Sequence, residues 1–125
     1  MELTDLKYSK EHEWVALDPA TGVATVGITD FAGEQLGDVV FVQLPGEGDE
    51  LAAGQAIGEV ESTKSVSDLF SPVSGTVSEV NAEIEDSPEL VNSDPFGKGW
   101  LFKVADAQVP DDLLDRSAYL ELTAD

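Results

Sequence analysis

The chain has 125 residues and sets 26 aspartates and glutamates against 6 lysines and arginines, for a formal charge of −20 at pH 7. That length suits one core, and so acidic a surface repels the phosphates of nucleic acid and the headgroups of anionic membranes. Cysteine is absent, which excludes disulfides, iron–sulfur clusters, thiolate zinc and a cysteine nucleophile, and no run approaches the ~18 apolar residues of a membrane span. Short β-rich runs separated by turn signals predict a sandwich or barrel. Glu13 to Leu17 and Val23 to Ile28 read as a hairpin joined by the turn from Asp18-Pro19 to Gly22. Asp30 is the expected cap of a short helix over Phe31 to Leu36 that ends at Gly37. Val39, Val40, Phe41 and Val42 make Asp38 to Leu44 a β-branched, aromatic run, read as a buried strand that stops at Pro45-Gly46.

A pentad follows. Ile57-Gly58-Glu59-Val60-Glu61 shares its order of apolar, small, Glu, Val and polar residues with Val77-Ser78-Glu79-Val80-Asn81, 20 residues on. Its copies bracket Lys64 and the turn from Pro72 to Gly75, which predicts two quasi-symmetric strands wrapped around that lysine. Ser87 to Val91 suits a short helix and Trp100 to Val104 a closing strand. Asp111 to Leu122 is the expected C-terminal helix, with the fixed φ of Pro110 and the acids after it suiting a helix start.

Between Lys10 and Lys98 the one lysine or arginine is Lys64, in the stretch Glu61-Ser62-Thr63-Lys64-Ser65. Gly54 lies 10 residues before it and Gly75 lies 11 after, a near-symmetry that points to a hairpin presenting one amine. An ordinary solvated lysine in a turn is the plain alternative. Signs of autonomous catalysis are missing. His12 is the sole histidine, no Gly-x-Ser-x-Gly elbow accompanies it, and it reads as structural. Gly46-Glu47-Gly48 is flanked by acids that repel phosphate, and no calcium-loop pattern occurs. The acids are spread over turns rather than gathered in a tail, as in a folded domain with a solvating coat that keeps it monomeric; steering toward basic partner proteins is the second reading. Met1 to Lys10 holds no apolar run suited to a signal peptide, so a cytoplasmic location is expected, or the mitochondrial matrix if a transit peptide has been removed.

Gly48-Asp49-Glu50-Leu51, Gly54-Gln55, Glu61-Ser62-Thr63-Lys64, Ser71-Pro72 and Ser74-Gly75-Thr76-Val77 resemble the lipoyl and biotinyl carrier domains. The resemblance implies a mainly β barrel-sandwich hybrid, the hammerhead of two antiparallel sheets, with short helices and the target lysine at a hairpin tip. His12-Glu13-Trp14-Val15, Gly27-Ile28-Thr29-Asp30, the run from Leu36 to Val42, Val91-Asn92-Ser93-Asp94-Pro95 and Gly99-Trp100 are more particular. They are similar to the glycine cleavage H-protein family, from about Leu6 to the C-terminal helix. This implies a single carrier domain over 1–125, with a hammerhead core at about 38–105 and a C-terminal helix at about 111–122.

Carried over residue by residue, the resemblance implies a non-catalytic component with lipoic acid joined covalently to Lys64. Glu61 would be read by the lipoate ligase or lipoyltransferase. The arm would take the aminomethyl group of glycine from a pyridoxal phosphate glycine decarboxylase to an aminomethyltransferase and be reoxidised by dihydrolipoyl dehydrogenase. Glu13 and Asp68 match acidic positions of the cleft that shelters the loaded arm. Where some relatives have a histidine in that cleft this chain has Phe31, expected to form an apolar wall. Biotin is disfavoured because its carriers flank the lysine with methionine, whereas Thr63 and Ser65 stand here. A lipoyl domain of a 2-oxoacid dehydrogenase is disfavoured because the chain shows neither its Pro/Ala-rich linker nor a catalytic core. An H-like carrier serving lipoate relay or sulfur metabolism stays open as the alternative.

Overall fold

A computed structural model describes residues 3–124. Strands β1 (Lys7–Tyr8), β2 (Glu13–Asp18) and β3 (Val23–Ile28) form a meander. The β2–β3 turn closes through Gly22, at φ 74°, whose N–H donates to Asp18 O at 2.8 Å. Helix α1 (Asp30–Leu36) leads to β4 (Val39–Gln43), β5 (Glu50–Leu51), β6 (Ala56–Ser62), β7 (Val66–Phe70) and β8 (Ser74–Val80). Two single-turn helices, α2 (Glu83–Asp86) and α3 (Leu90–Ser93), precede β9 (Phe102–Gln108) and the C-terminal helix α4 (Arg116–Thr123).

The strands pair antiparallel into two sheets, in the orders β1-β2-β3-β9-β8-β5 and β4-β6-β7. Val15, Val26, Val77, Phe102 and Val104 from the larger sheet meet Val42, Val60 and Leu69 from the smaller one in the core. Truncating Leu69 to alanine typically costs about 2–5 kcal/mol. A second cluster of Leu6, Tyr8, Trp14 and Tyr119 fastens α4 to the start of the chain. The mainly β architecture of two antiparallel sheets with few short helices is the one the sequence predicts.

Several local expectations need correction. Asp30 is not the cap of α1: the side chain of Thr29 accepts from Ala32 N, and Asp30 is the first helical residue. The run from Asp38 to Leu44 is only partly buried. It forms an edge strand of the smaller sheet, and an irregularity between Val39 and Phe41 leaves Val40 and Phe41 exposed. The two pentads do not both flank Lys64, since Ile57–Glu61 lies in β6 and Val77–Val80 in β8 of the opposite sheet. The helix expected at Ser87 to Val91 begins only at Leu90, with Ser87, Pro88 and Glu89 between α2 and α3. The closing strand starts at Phe102 and runs on to Gln108. The C-terminal helix begins at Arg116 rather than Asp111, because Leu114 first exchanges backbone hydrogen bonds with Tyr8 (2.8 and 2.7 Å) and Asp115 then caps the helix.

Candidate functional site: an amine at a hairpin tip beside an acidic cleft

Lys64 sits where β6 turns into β7, and one buried serine organises the turn. Ser62 Oγ accepts from Lys64 N at 3.3 Å and from Ser65 N at 3.1 Å, and donates to Ser65 O at 3.1 Å. Thr63 N donates to Asp38 O at 3.0 Å, which braces the tip against the loop after α1. Beneath the lysine stem lies Gly37, at φ 82°; a Cβ there would come within 3.3 Å of Lys64 Cε. Glycine therefore serves twice, as the left-handed residue that ends α1 and as room for the stem. The Lys64 side chain is exposed.

The outer face of the small sheet is laid out in rows. Phe41, Glu61 and Val66 are register partners across β4, β6 and β7, and Gln43, Glu59 and Asp68 form the next row. Phe41 and Val66 are 55% and 58% exposed, so an apolar side chain stands on each side of Glu61. Glu59 and Asp68 face each other directly, a like-charge pair that destabilises a sheet.

A cavity of about 200 Å³ begins at Ser65, the residue after Lys64, and runs along β7. Ile28, Leu36, Val60 and Leu69 give it apolar walls, while Glu11, His12, Glu13 and Asp68 are its charged or titratable members. Glu13 is buried, and Ser9 Oγ donates to its Oε1 at 2.5 Å. Burial pushes its carboxyl up to about 7, against the lowering effect of the Ser9 and Phe70 hydrogen bonds. The same carboxyl borders a second cavity of about 310 Å³ that also touches Ser9, Ser71 and Pro110.

Of the residues singled out from the sequence, Glu13 and Asp68 border the cleft, and Lys64 and Glu61 share the hairpin above it. Phe31 is not among the cleft-lining residues; its ring packs against His12, with centroids 4.9 Å apart. No local feature of the sequence marks His12 as a cleft residue. Its Nδ1 lies 2.9 Å from the Tyr119 hydroxyl, 107 residues away, and no local pattern signals such a pairing. Burial lowers the His12 pKa, and the Glu11 carboxylate works in the opposite direction.

Two antiparallel sheets that hold one lysine at a rigid hairpin tip define the class, a carrier domain of the lipoyl type. The model of the family described as glycine cleavage H-protein matches residues 6–125. A glycine cleavage system H protein of Beutenbergia cavernae is 62% identical over 121 residues, covering 97% of this chain and 95% of its own. One from Clavibacter sepedonicus is 57% identical, covering 98% and 97%. The crystal structure of the H protein from Mycobacterium marinum superposes with a TM-score of 0.88 at 45% identity, covering 94% of this chain and 95% of that one. The chain belongs to the glycine cleavage H-protein family. It is a lipoyl-carrier component of the glycine cleavage system, and its cofactor is lipoate attached covalently to a lysine.

Proposed function

We propose that the lysine is Lys64, and that the lipoyl arm it carries takes the aminomethyl fragment of glycine from the decarboxylase to the aminomethyltransferase before dihydrolipoyl dehydrogenase reoxidises it. The observation that carries the reading is the tip itself. Lys64 is exposed on a turn tied by Ser62, with its stem over Gly37 and with a cleft that begins at the next residue. A modifying enzyme meets a fixed amine there rather than a wandering one.

The bound lipoyl group supplies a disulfide, the redox and acceptor chemistry that a cysteine-free chain lacks. The protein's own part is to present, shelter and steer. Glu61, with Phe41 and Val66 on either side, offers the ligase or lipoyltransferase an acidic contact between two apolar ones. The cleft accepts the loaded end of the arm, with Glu13 and Asp68 as partners for its ammonium, since charge-assisted hydrogen bonds gain strength where water is partly excluded. In this reading the chain is a carrier and not a catalyst, because each bond change belongs to a partner enzyme.

The test is reconstitution with the decarboxylase, the aminomethyltransferase with its folate, and the dehydrogenase. Lipoylated chain should support glycine-dependent NADH formation, and unmodified chain should not. Lipoylated chain that fails there yet passes its lipoyl group to another acceptor protein would overturn this reading in favour of lipoate relay.

A further inference from the structure

Three side chains from distant parts of the chain meet behind His12, the one of them that borders the cleft. His12 Nδ1 lies 2.9 Å from the Tyr119 hydroxyl, which lies 2.7 Å from Thr29 Oγ1. As the cap of α1, Thr29 Oγ1 also accepts from Ala32 N at 3.1 Å. Three proton arrangements satisfy these distances. In the first, Thr29 donates to Tyr119 and Tyr119 donates to His12 Nδ1, so each polar hydrogen has an acceptor. In the second, His12 Nδ1–H donates to Tyr119 and Tyr119 donates to Thr29, which leaves the Thr29 hydroxyl hydrogen without one. In the third, His12 Nδ1–H and the Thr29 hydroxyl both donate to the Tyr119 oxygen, which leaves the Tyr119 hydroxyl hydrogen without an acceptor. Thr29 and Tyr119 are both buried, so an orphaned hydroxyl on either bears its full desolvation penalty, and the first arrangement wins.

The first arrangement fixes the tautomer, with Nδ1 as acceptor and the imidazole proton on Nε2. An imidazolium needs a proton on Nδ1 as well, so charging His12 forces one of the two costly arrangements. Burial acts in the same direction. Glu11, Glu13 on β2 and Asp68 on β7 are the other charged or titratable groups of the cleft, and of these Glu11 draws a proton onto His12. At the Tyr119 end, Asp30 on α1 and Arg116 on α4 act in opposite directions. The His12 backbone is held at φ 72°, a conformation that persists in a non-glycine residue where its surroundings over-determine it.

We infer that Tyr119 and Thr29 are positioning residues that hold His12 neutral with its proton on Nε2, so that the cleft offers the cationic end of the loaded arm carboxyl groups and no competing positive charge. The C-terminal helix thereby becomes part of the arm's shelter. The inference rests on Lys64 as the anchor of the arm, but the state of His12 is measurable without any arm.

His12 is the sole histidine in the chain, so its side-chain nitrogens give one unambiguous set of two-bond proton–nitrogen correlations in a nitrogen-15-labelled sample. In unmodified protein from pH 5 to pH 8.5, the neutral form should show a protonated Nε2 and a bare Nδ1. Tyr119→Phe should raise the titration midpoint by about 0.5 to 1 pH unit and mix the two tautomers, as expected for the loss of one buried hydrogen bond. Thr29→Ser, which keeps the hydroxyl, should behave as wild type. A wild-type tautomer with its proton on Nδ1, or a Tyr119→Phe variant with unchanged tautomer and midpoint, would overturn the relay; the wild-type spectrum decides even if the variant does not fold.

The second arm uses lipoylated protein loaded from glycine by the decarboxylase. Loading should lower the His12 midpoint, because a neighbouring ammonium disfavours an imidazolium. An unchanged midpoint would remove His12 from the shelter. The intact masses of that sample and of Lys64→Arg treated alike show separately whether Lys64 carries the arm, so failure of the inference and failure of the anchor are told apart.

Discussion

Asn92 clasps the loop beneath Lys64 from both sides, its amide donating to Gly37 O at 2.9 Å while its Oδ1 accepts from Val39 N at 2.9 Å. That loop holds the hairpin in turn through Thr63 N and Asp38 O, so α3 positions the lysine tip without touching it. Asn92→Ala leaves a backbone donor and an acceptor without these partners and should destabilise the fold by about 2 kcal/mol. The urea midpoint should fall at unchanged slope, and kcat/KM for lipoylation should fall because the tip is less fixed. A variant that matches wild type in both measurements would show that the clasp is dispensable.

Glu13 makes stability depend on pH in a definite direction. Its carboxyl titrates at about 7 in the fold against 4.5 as the ordinary value, so the folded state holds a proton that the unfolded chain releases. That contribution is fully present below about 4.5 and is lost as pH rises through 7, a change of about 3 kcal/mol. Glu13→Gln has no proton to lose. The stability gap between variant and wild type should therefore move in the variant's favour from pH 5 to pH 8; a constant gap would show that Glu13 is ionised in the fold at both.

The acidic coat should make the protein more stable in salt. Among the described residues the one ion pair is Lys103 with Glu79, at 3.7 Å, so few of the 26 acids have a partner close by. Screening shortens from about 30 Å at 0.01 M to about 3 Å at 1 M salt, which relieves repulsions such as the facing pair Glu59 and Asp68. The melting temperature should rise with sodium chloride across that range, and a flat or falling curve would contradict the repulsion.

Sheltering predicts a lifetime. Glu13→Ala with Asp68→Ala should leave Lys64 lipoylation intact, because neither residue lies in the turn that presents the amine. The loaded carrier, purified away from its partners, should release formaldehyde faster than wild type. Equal release rates would return both carboxylates to an ordinary solvated role.

The parts of this molecule legible in its sequence are those set by neighbours in the chain. Val23–Ile28 forms the strand its composition predicts, and Lys64 stands on the hairpin that its spacing from Gly54 and Gly75 implies. Edge position was not legible, because β-branched composition is the same for a strand that is open on one face, as at Val40 and Phe41. Pro110-Asp111-Asp112 is a sound local start signal, yet the bridge from Leu114 to Tyr8 delays the helix. His12, Thr29 and Tyr119 each look ordinary in their own segments and acquire a role only when the fold brings them together.

The most direct test of the central claim is the intact mass of wild type and Lys64→Arg after incubation with lipoate ligase, lipoate and ATP. Arginine keeps the charge at the tip but offers no acylable amine. Wild type should gain one lipoyl group and the variant none; a single lipoyl mass on Lys64→Arg would contradict the assignment of the arm to this hairpin.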